Sequence, residues 1–135
     1  MYQQMIFVNL AVDDLDASKK FFTELGYSIN PQFSDETVAA VVISDTIIVM
    51  LLTREKYAQF TKKEIVDATR SSEVLLALSA ESREKVDVLV EKAVAAGGSV
   101  SGETQEHGFM YGRAFDDLDG HTWEVSWMDP AVVQG

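Results

Sequence analysis

The feature that most constrains the fold is one order of predicted elements that occurs twice along the chain. Each copy begins with a short apolar run, Ile6–Val12 in the first and residues 73–79 in the second, and continues with a helical pattern and three extended segments. Such runs, bounded by turn residues, are typical of strands, and a supersecondary order that recurs within one chain indicates an internal repeat. We therefore predict a single α+β domain over residues 1–135, made of two βαβββ modules at 5–53 and 72–129 with a connector at 54–71.

Residues with known positional preferences mark the ends of the predicted elements. Asp13 or Asp14 can cap the first helix and Ser82 the second, because a short side-chain oxygen accepts from a free N–H of the first helical turn. Gly26 stands where a left-handed residue would end the first helix. The run Asp117-Leu118-Asp119-Gly120 predicts a tight turn before the last strand.

Composition excludes several classes of function. The chain has no cysteine, which rules out disulfides, thiolate metal sites and cysteine nucleophiles. Its formal net charge of −11 repels phosphate backbones, so we do not expect nucleic acid as a partner. No apolar run reaches the ~20 residues that cross a bilayer, and the first residues lack the basic region of a signal peptide. We expect a soluble cytoplasmic protein without a membrane partner.

Three motifs resemble those of the glyoxalase/bleomycin resistance/dioxygenase (vicinal oxygen chelate) superfamily. They are VNLAVDDL at residues 8–15, KKFFTELGY at 19–27 and FDDLDGHTWEV at 115–125. The third is the most specific, since it combines the closing turn with the carboxylate of the last strand. Within the superfamily the chain is most similar to an uncharacterised bacterial branch described as predicted lactoylglutathione lyases. The resemblance implies that the two modules form a curved mixed sheet around a concave cavity, and that the protein is a homodimer.

In metal-dependent members of this superfamily, four strand residues hold a divalent ion that binds two neighbouring substrate oxygens. By resemblance these positions fall on Phe7, Met50, Leu75 and Glu124. Phenylalanine and leucine have no donor atom, and the soft sulfur of methionine does not suit Mg, Mn, Ni or Zn. We therefore expect neither a metal nor another cofactor, and no lactoylglutathione lyase activity by the usual mechanism.

Strand alternation predicts what lines the cavity instead. One face would carry apolar and small polar residues from both modules, while the opposite face (with Val8, Leu10, Trp123 and Val125 among others) would pack under the helices. An apolar pocket with a few convergent polar groups is typical of a small-molecule site. The predicted ligand-binding residues are Phe7, Asn9, Met50, Leu52, Leu75, His107, Tyr111, Arg113 and Ser126.

Glu124 is the predicted catalytic residue. A carboxylate among apolar side chains is desolvated, which would raise its pKa toward the range of a general acid or base. Such a group could remove a proton next to a carbonyl. The alternative is a structural carboxylate whose hydrogen bonds come from Arg113, Tyr111 or a hydroxyl.

The two histidines and Arg113 leave further alternatives open. His107 precedes a stretch rich in side chains able to hold a ligand, whereas His121 lies in the predicted turn and is expected to be solvated. Arg113 could bind a carboxylate or phosphonate through two parallel hydrogen bonds, or it could pair with Asp116. A displaced metal site of His107, His121 and Glu124 is a further alternative.

Two functions fit these residues about equally. The first is a lyase or isomerase that uses Glu124 as its acid or base. The second is a non-catalytic protein that sequesters a small, antibiotic-like molecule, for which the acidic charge would favour a cationic ligand. A purely structural or regulatory dimer is a third reading, but it explains Glu124 less well.

Overall fold

A computed structural model describes residues 1–133 of the chain and divides it into two compact units, with the boundary between Val66 and Asp67. The first unit contains β1 (Ile6–Val12), α1 (Leu15–Glu24), β2 (Ser28–Asn30), a short 3-10 helix (Pro31–Phe33), β3 (Val38–Val42), β4 (Ile47–Thr53) and α2 (Arg54–Tyr57). The second unit contains β5 (Leu75–Ser79), α3 (Arg83–Ala95), β6 (Ser99–Val100), β7 (Gln105–Glu106), β8 (Met110–Asp116), β9 (Thr122–Met128) and α4 (Pro130–Val133).

The first unit is a four-stranded mixed sheet with the order β1-β4-β3-β2. Strands β1 and β4 are parallel, and the other pairs are antiparallel. Helix α1 begins as predicted, because the Asp14 side chain accepts from the Ala17 N–H at 3.0 Å, and Gly26 follows it with a φ of 107°. Phe21 and Phe22 of α1 are almost completely buried, so this helix supplies the largest side chains of the unit's core.

The second unit repeats this plan. Its five-stranded sheet has the order β5-β9-β8-β6, with β7 also paired to β8, and β5 and β9 are parallel. Ser82 caps α3 by accepting from the Lys85 N–H at 3.1 Å. Val86 and Val90 of α3 are buried, as are Phe115 and Trp123 of the sheet, whose rings stack at 6.4 Å between centroids.

The strand register shows that the two modules are true repeats. Phe7 lies opposite Ile48 in the first parallel pair, and Leu75 lies opposite Thr122 in the second. The predicted α+β fold with two βαβββ modules is therefore confirmed, with one mixed sheet in each unit. The first extended segment after the helix of the second module differs in detail, since the chain there forms two short strands, β6 and β7.

A buried carboxylate organises the turn between β8 and β9. Asp117 is 7% exposed, and it accepts from the Trp123 indole N–H and from the backbone N–H groups of Asp119 and His121, each at 3.0 Å. Burial raises the pKa of Asp117, although the nearby His121 and the Trp123 hydrogen bond act in the opposite direction. The predicted turn is confirmed, and its aspartate is part of the core.

Glycine is required at the end of the same turn. Gly120 has a φ of 88°, and a Cβ atom there would lie 2.8 Å from the backbone of Thr69. The end of the connector thus packs directly against the turn. Among residues 1–133, no helix has the length and apolar character needed to span a membrane.

Candidate functional site

The face of the second sheet that points away from α3 carries the candidate site, and we call it the Glu124 face. The strand register places thirteen residues of the five strands on it: Leu75, Ala77, Ser79, Ser99, Gln105, Met110, Gly112, Ala114, Asp116, Thr122, Glu124, Ser126 and Met128. Directly paired residues of neighbouring strands point to the same side of a sheet. The assignment therefore follows from the pairing alone.

Small residues flank Glu124 on both sides. Its partner on β5 is Ala77 and its partner on β8 is Ala114, and Gly112 follows one step along the same face. The methyl groups of Ala77 and Ala114 take up little space beside the carboxylate, whereas Gly112 is covered by Met110, whose terminal carbon lies 3.5 Å from the position that a Cβ atom would take there. A ligand can therefore approach Glu124 from above without displacing a large neighbouring side chain.

Glu124 is exposed, and within residues 1–133 no hydrogen bond or ion pair holds its carboxylate. The sequence predicted that apolar neighbours would shield the Glu124 carboxylate from water. Its neighbours on the sheet do not do so. Only a group that covers the Glu124 face, such as a bound ligand, would shield the carboxylate. The alternative of a structural carboxylate satisfied by Arg113 or Tyr111 is not what the structure shows.

A row of polar groups crosses the sheet next to Glu124. Ser79, Ser126, Gly112 and Gln105 are successive partners across β5, β9, β8 and β7. The Nε2 atom of His107 lies 3.3 Å from Oε1 of Gln105, which places the imidazole on the same side. Of these residues, the sequence did not single out Gln105, because β7 is only two residues long and its alternation could not be recognised.

Asp116 also lies on the Glu124 face, where the Thr122 hydroxyl donates to its carboxylate at 2.6 Å. This internal hydrogen bond leaves less of its acceptor capacity for a ligand. Asp116 does not pair with Arg113, because the two residues point to opposite sides of β8.

Tyr111 and Arg113 are on the wrong face for the predicted site. They pair with Trp127 and Val125, and both point toward α3. The Tyr111 hydroxyl donates to Asp87 at 2.7 Å, and Arg113 donates to Asp87 at 3.0 Å and to Glu91 at 2.9 Å. The prediction that they bind a ligand together with Glu124 is corrected, since α3 supplies the carboxylates that they bind.

These contacts change how the groups titrate. The Tyr111 hydroxyl and then Arg113 lower the pKa of Asp87 by stabilising its carboxylate. The same hydrogen bond to Asp87 raises the pKa of Tyr111. The cluster therefore joins α3 to β8 around a charged aspartate.

The corresponding face of the first sheet is apolar, and we call it the Met50 face. It carries Phe7, Asn9, Ala11, Val38, Ala40, Val42, Ile48, Met50 and Leu52. Phe7 is 56% exposed, Met50 is half-buried and Leu52 is buried. The Asn9 side chain donates to the Phe7 carbonyl at 3.3 Å. The predicted grouping of Phe7, Asn9, Met50 and Leu52 on one face is thus what the register gives.

The displaced metal site left open by the sequence is not formed. His107 follows β7, and the backbone of His121 is bound to Asp117 in the turn before β9, where its side chain is half-buried. Across residues 1–133 no group of three or more histidine, aspartate or glutamate side chains lies close enough to hold an ion.

Comparison with known proteins relates this chain to a family. The family model described as bleomycin resistance protein-like N-terminal matches residues 4–44. A structure of a hypothetical protein from S. aureus has 34% identity and a TM-score of 0.77, with 94% of this chain and 95% of that chain covered. A glyoxylase/bleomycin resistance protein/dioxygenase domain from Frankia sp. EAN1pec has 27% identity and a TM-score of 0.70, with 95% and 93% covered.

The chain belongs to the glyoxalase/bleomycin resistance/dioxygenase superfamily. The fold is shared with more distant members, such as a glyoxalase-related enzyme from Fulvimarina pelagi at 23% identity and a TM-score of 0.77, covering 93% of this chain and 88% of that one. Among curated proteins no match is found.

The four positions that the superfamily resemblance assigns to metal ligands can now be tested against the repeat. Once Met50 is matched with Glu124, the parallel register of each sheet matches Phe7 with Leu75, so the four positions are consistent with the repeat. Three of the four side chains lack a nitrogen or oxygen donor, so this set of residues does not fit a divalent ion.

Proposed function

We propose that this protein binds a small organic ligand on the Glu124 face, and that it does so without a divalent ion at the superfamily's metal positions. The observation that carries the proposal is Glu124 itself, an unpaired carboxylate between Ala77 and Ala114. Glu124 is exposed, and an exposed glutamate alone is ordinary. Its position in a row of small and polar residues, at the point that the superfamily uses for ligands, distinguishes it.

The chemistry of the face indicates what kind of ligand fits. When it is ionised, the Glu124 carboxylate can accept hydrogen bonds but cannot donate them, so it suits a donor or a cationic group of the ligand. Ser79, Ser126 and Gln105 add groups that can both donate and accept. Leu75 and Met128, both exposed, contribute apolar area. A few polar groups among apolar ones are the usual composition of a small-molecule site.

For catalysis, Glu124 would act as the acid or base of a lyase or isomerase. A ligand that covers the carboxylate excludes water from it, which strengthens the electrostatic interactions between Glu124 and the substrate. The substrate proton would lie next to a carbonyl, where removal gives an enolate. The chain's own residues hold and move that proton, and no step requires a metal.

The absence of an orienting partner favours a second candidate function. A general base is commonly held by a neighbouring hydrogen bond, whereas Glu124 has none among residues 1–133. A sequestering protein needs only affinity, and the acidic net charge of −11 attracts a cationic ligand. Under this alternative the protein binds an antibiotic-like molecule and leaves it unchanged.

We also propose that the protein is a homodimer. The sheet edges formed by β1 and β5 bear exposed apolar side chains, including Ile6, Phe7 and Leu75. Edge strands with apolar side chains are normally paired or covered in proteins. Light scattering during gel filtration should give twice the chain mass of 14.9 kDa, and the mass of a single chain would refute the dimer.

The experiment that tests the proposed site combines a ligand screen with the variant Glu124→Gln. Thermal shift against α-keto acids, glutathione adducts and aromatic antibiotics, with chelator present, identifies ligands that stabilise the folded protein. Glu36→Gln is the matched control, because Glu36 is an exposed glutamate of the first unit. If Glu124 belongs to the site, Glu124→Gln should change the affinity for the ligand or the turnover, and Glu36→Gln should change neither.

The two functions give different results in the same experiment. For a lyase or isomerase, Glu124→Gln abolishes turnover while the ligand still binds. For a sequestering protein, no product forms with either protein, and the affinity for a cationic ligand falls while that for an apolar ligand hardly changes. Equal affinity and equal turnover in both variants would remove Glu124 from the site.

A further inference from the structure

A single guanidinium holds the turn between β7 and β8. Arg83, the first residue of α3, forms an ion pair with Glu106 and donates to the Gly108 carbonyl at 2.8 Å. Its guanidinium also lies over the rings of Tyr111 and Trp127, at 5.4 Å and 5.0 Å from their centroids. One side chain thus connects the helix to β7, β8, β9 and the turn.

Helix formation does not explain a cation at this position. The N-terminal end of a helix carries a partial positive charge, which disfavours arginine in the first turn. The contacts of Arg83 with Glu106 and with the two aromatic rings offset this cost. The position of Arg83 is therefore explained by its contacts with the turn and not by the stability of the helix.

The turn itself has few other constraints on this side of the sheet. Glu106 accepts from the Gly108 N–H at 3.0 Å, and Gly108 has a φ of 77° with open space around it. The His107 N–H donates to the Met110 carbonyl at 2.9 Å, and the Asp129 N–H donates to the Phe109 carbonyl at 2.8 Å. Glu106 and Gly108, on either side of His107, are thus joined directly to each other, and Arg83 binds both of them to α3.

Contacts that hold Glu106 and Gly108 in place also hold Gln105 and His107, whose side chains point to the opposite side of the sheet. Glu106 faces α3, so Gln105 and His107 lie on the Glu124 face, where their side chains are 3.3 Å apart. Two strand spacings and two residues separate Gln105 from Glu124, which corresponds to about 12 Å. A drug-sized molecule spans that distance.

We propose that residues 105–109 form a flap over one end of the Glu124 face and that Arg83 is its positioning residue. Arg83 holds the flap from the α3 side, and Gln105 and His107 are thereby presented to a ligand on the other side. The inference rests on the proposed function in one respect, namely that a ligand occupies the Glu124 face. Arg83 itself touches no ligand.

Nuclear magnetic resonance of the full chain tests this without any ligand. Arg83→Gln removes the ion pair, and Lys85→Gln removes one positive charge from the same helical turn without touching the flap. We expect the Gly108 amide to exchange with solvent at least tenfold faster in Arg83→Gln and at the original rate in Lys85→Gln. Arg83→Lys keeps the positive charge but lacks the planar guanidinium group, so its rate of Gly108 amide exchange should lie between those of the other two variants.

A second measurement separates flap positioning from a merely structural role. A neutral gadolinium chelate relaxes protons that solvent can reach, and movement of Gln105 should expose Gly112 and Ser126 to it. We expect relaxation of their protons to increase at least twofold in Arg83→Gln, while the Trp123 indole signal is unchanged and that of Trp127 shifts. Glu106→Gln removes the same pair from the other side and should give the same result.

The proposal is overturned if Gly108 exchange or the relaxation of Gly112 and Ser126 is the same in Arg83→Gln as in the original protein. Because no ligand is present, these results do not depend on whether the Glu124 face binds one. Failure of the proposed function would instead be seen in the Glu124→Gln binding experiment.

Discussion

Met50 and Glu124 occupy equivalent positions in the two modules. Met50 lies opposite Ala40 in the antiparallel pair β3 and β4, and Glu124 lies opposite Ala114 in the corresponding pair β8 and β9. The repeat thus presents two similar faces, of which one is apolar and the other carries a carboxylate. At this position the second module therefore has a carboxylate, whereas the first module has only the soft sulfur of Met50.

The first prediction concerns metal content. Protein purified without chelators should contain far less than one equivalent of Ni, Zn, Mn or Fe per chain, because Phe7, Met50 and Leu75 offer no hard donor. Elemental analysis measures this, and chelator should leave the melting temperature unchanged. A full equivalent of one ion that is lost in Glu124→Gln would contradict the account.

The second prediction is a pH dependence of the Asp87 cluster. Because the folded pKa of Asp87 is lowered, its contribution to stability is present above the ordinary value of 3.8 and is lost as the pH falls through the folded pKa. Asp87 is about half exposed, so Asp87→Asn should cost only about 0.5 kcal/mol at pH 7 after solvent screening. Urea unfolding should show this difference vanishing in acid, while Glu36→Gln shows none at any pH.

The third prediction concerns the buried turn aspartate. Asp117→Asn keeps the shape of the side chain but replaces one acceptor oxygen with an NH₂ group, so at least one of its three donors faces another donor. We expect a loss of about 1–3 kcal/mol in the free energy of unfolding. Asp45→Asn, in the exposed turn between β3 and β4, is the control and should be neutral. Equal stability of both variants would mean that the turn is not organised by Asp117.

The fourth prediction separates two glycines that share a backbone conformation. Gly120→Ala introduces both a left-handed alanine and a Cβ atom 2.8 Å from the Thr69 backbone, whereas Gly102, with a φ of 67°, has nothing within 4 Å. Gly102→Ala should therefore cost about 1 kcal/mol for the conformation alone. Gly120→Ala should cost clearly more, because backbone must move. Chemical denaturation of both variants measures the difference, and similar losses would contradict the packing of the connector on the turn.

Much of the fold follows from local rules that the sequence displays. Strand β1 has the predicted bounds, Ser82 and Asp14 are the helix caps, and Gly26 adopts a positive φ after α1. Each of these depends on residues within a few positions of one another. The two short strands β6 and β7, which follow α3, were not predictable in the same way, because strands of two residues show no alternation.

The site was less accessible from sequence, since it depends on contacts between distant residues. Alternation correctly groups Tyr111 with Arg113, but it does not say that Asp87, 24 and 26 residues earlier, pairs with them. The exposure of Glu124 likewise depends on its neighbours Ala77 and Ala114, which the strand register alone reveals. Gln105 and Arg83 acquire their significance only when β7 is placed beside β8.

The most direct test of the central claim is a calorimetric titration of the best ligand from the screen, in chelator and in added divalent metal. We expect the ligand to bind with the same dissociation constant, within about twofold, under both conditions, and Glu124→Gln to change this constant or abolish turnover. Binding that is seen only with added metal would contradict the claim that the Glu124 face works without an ion.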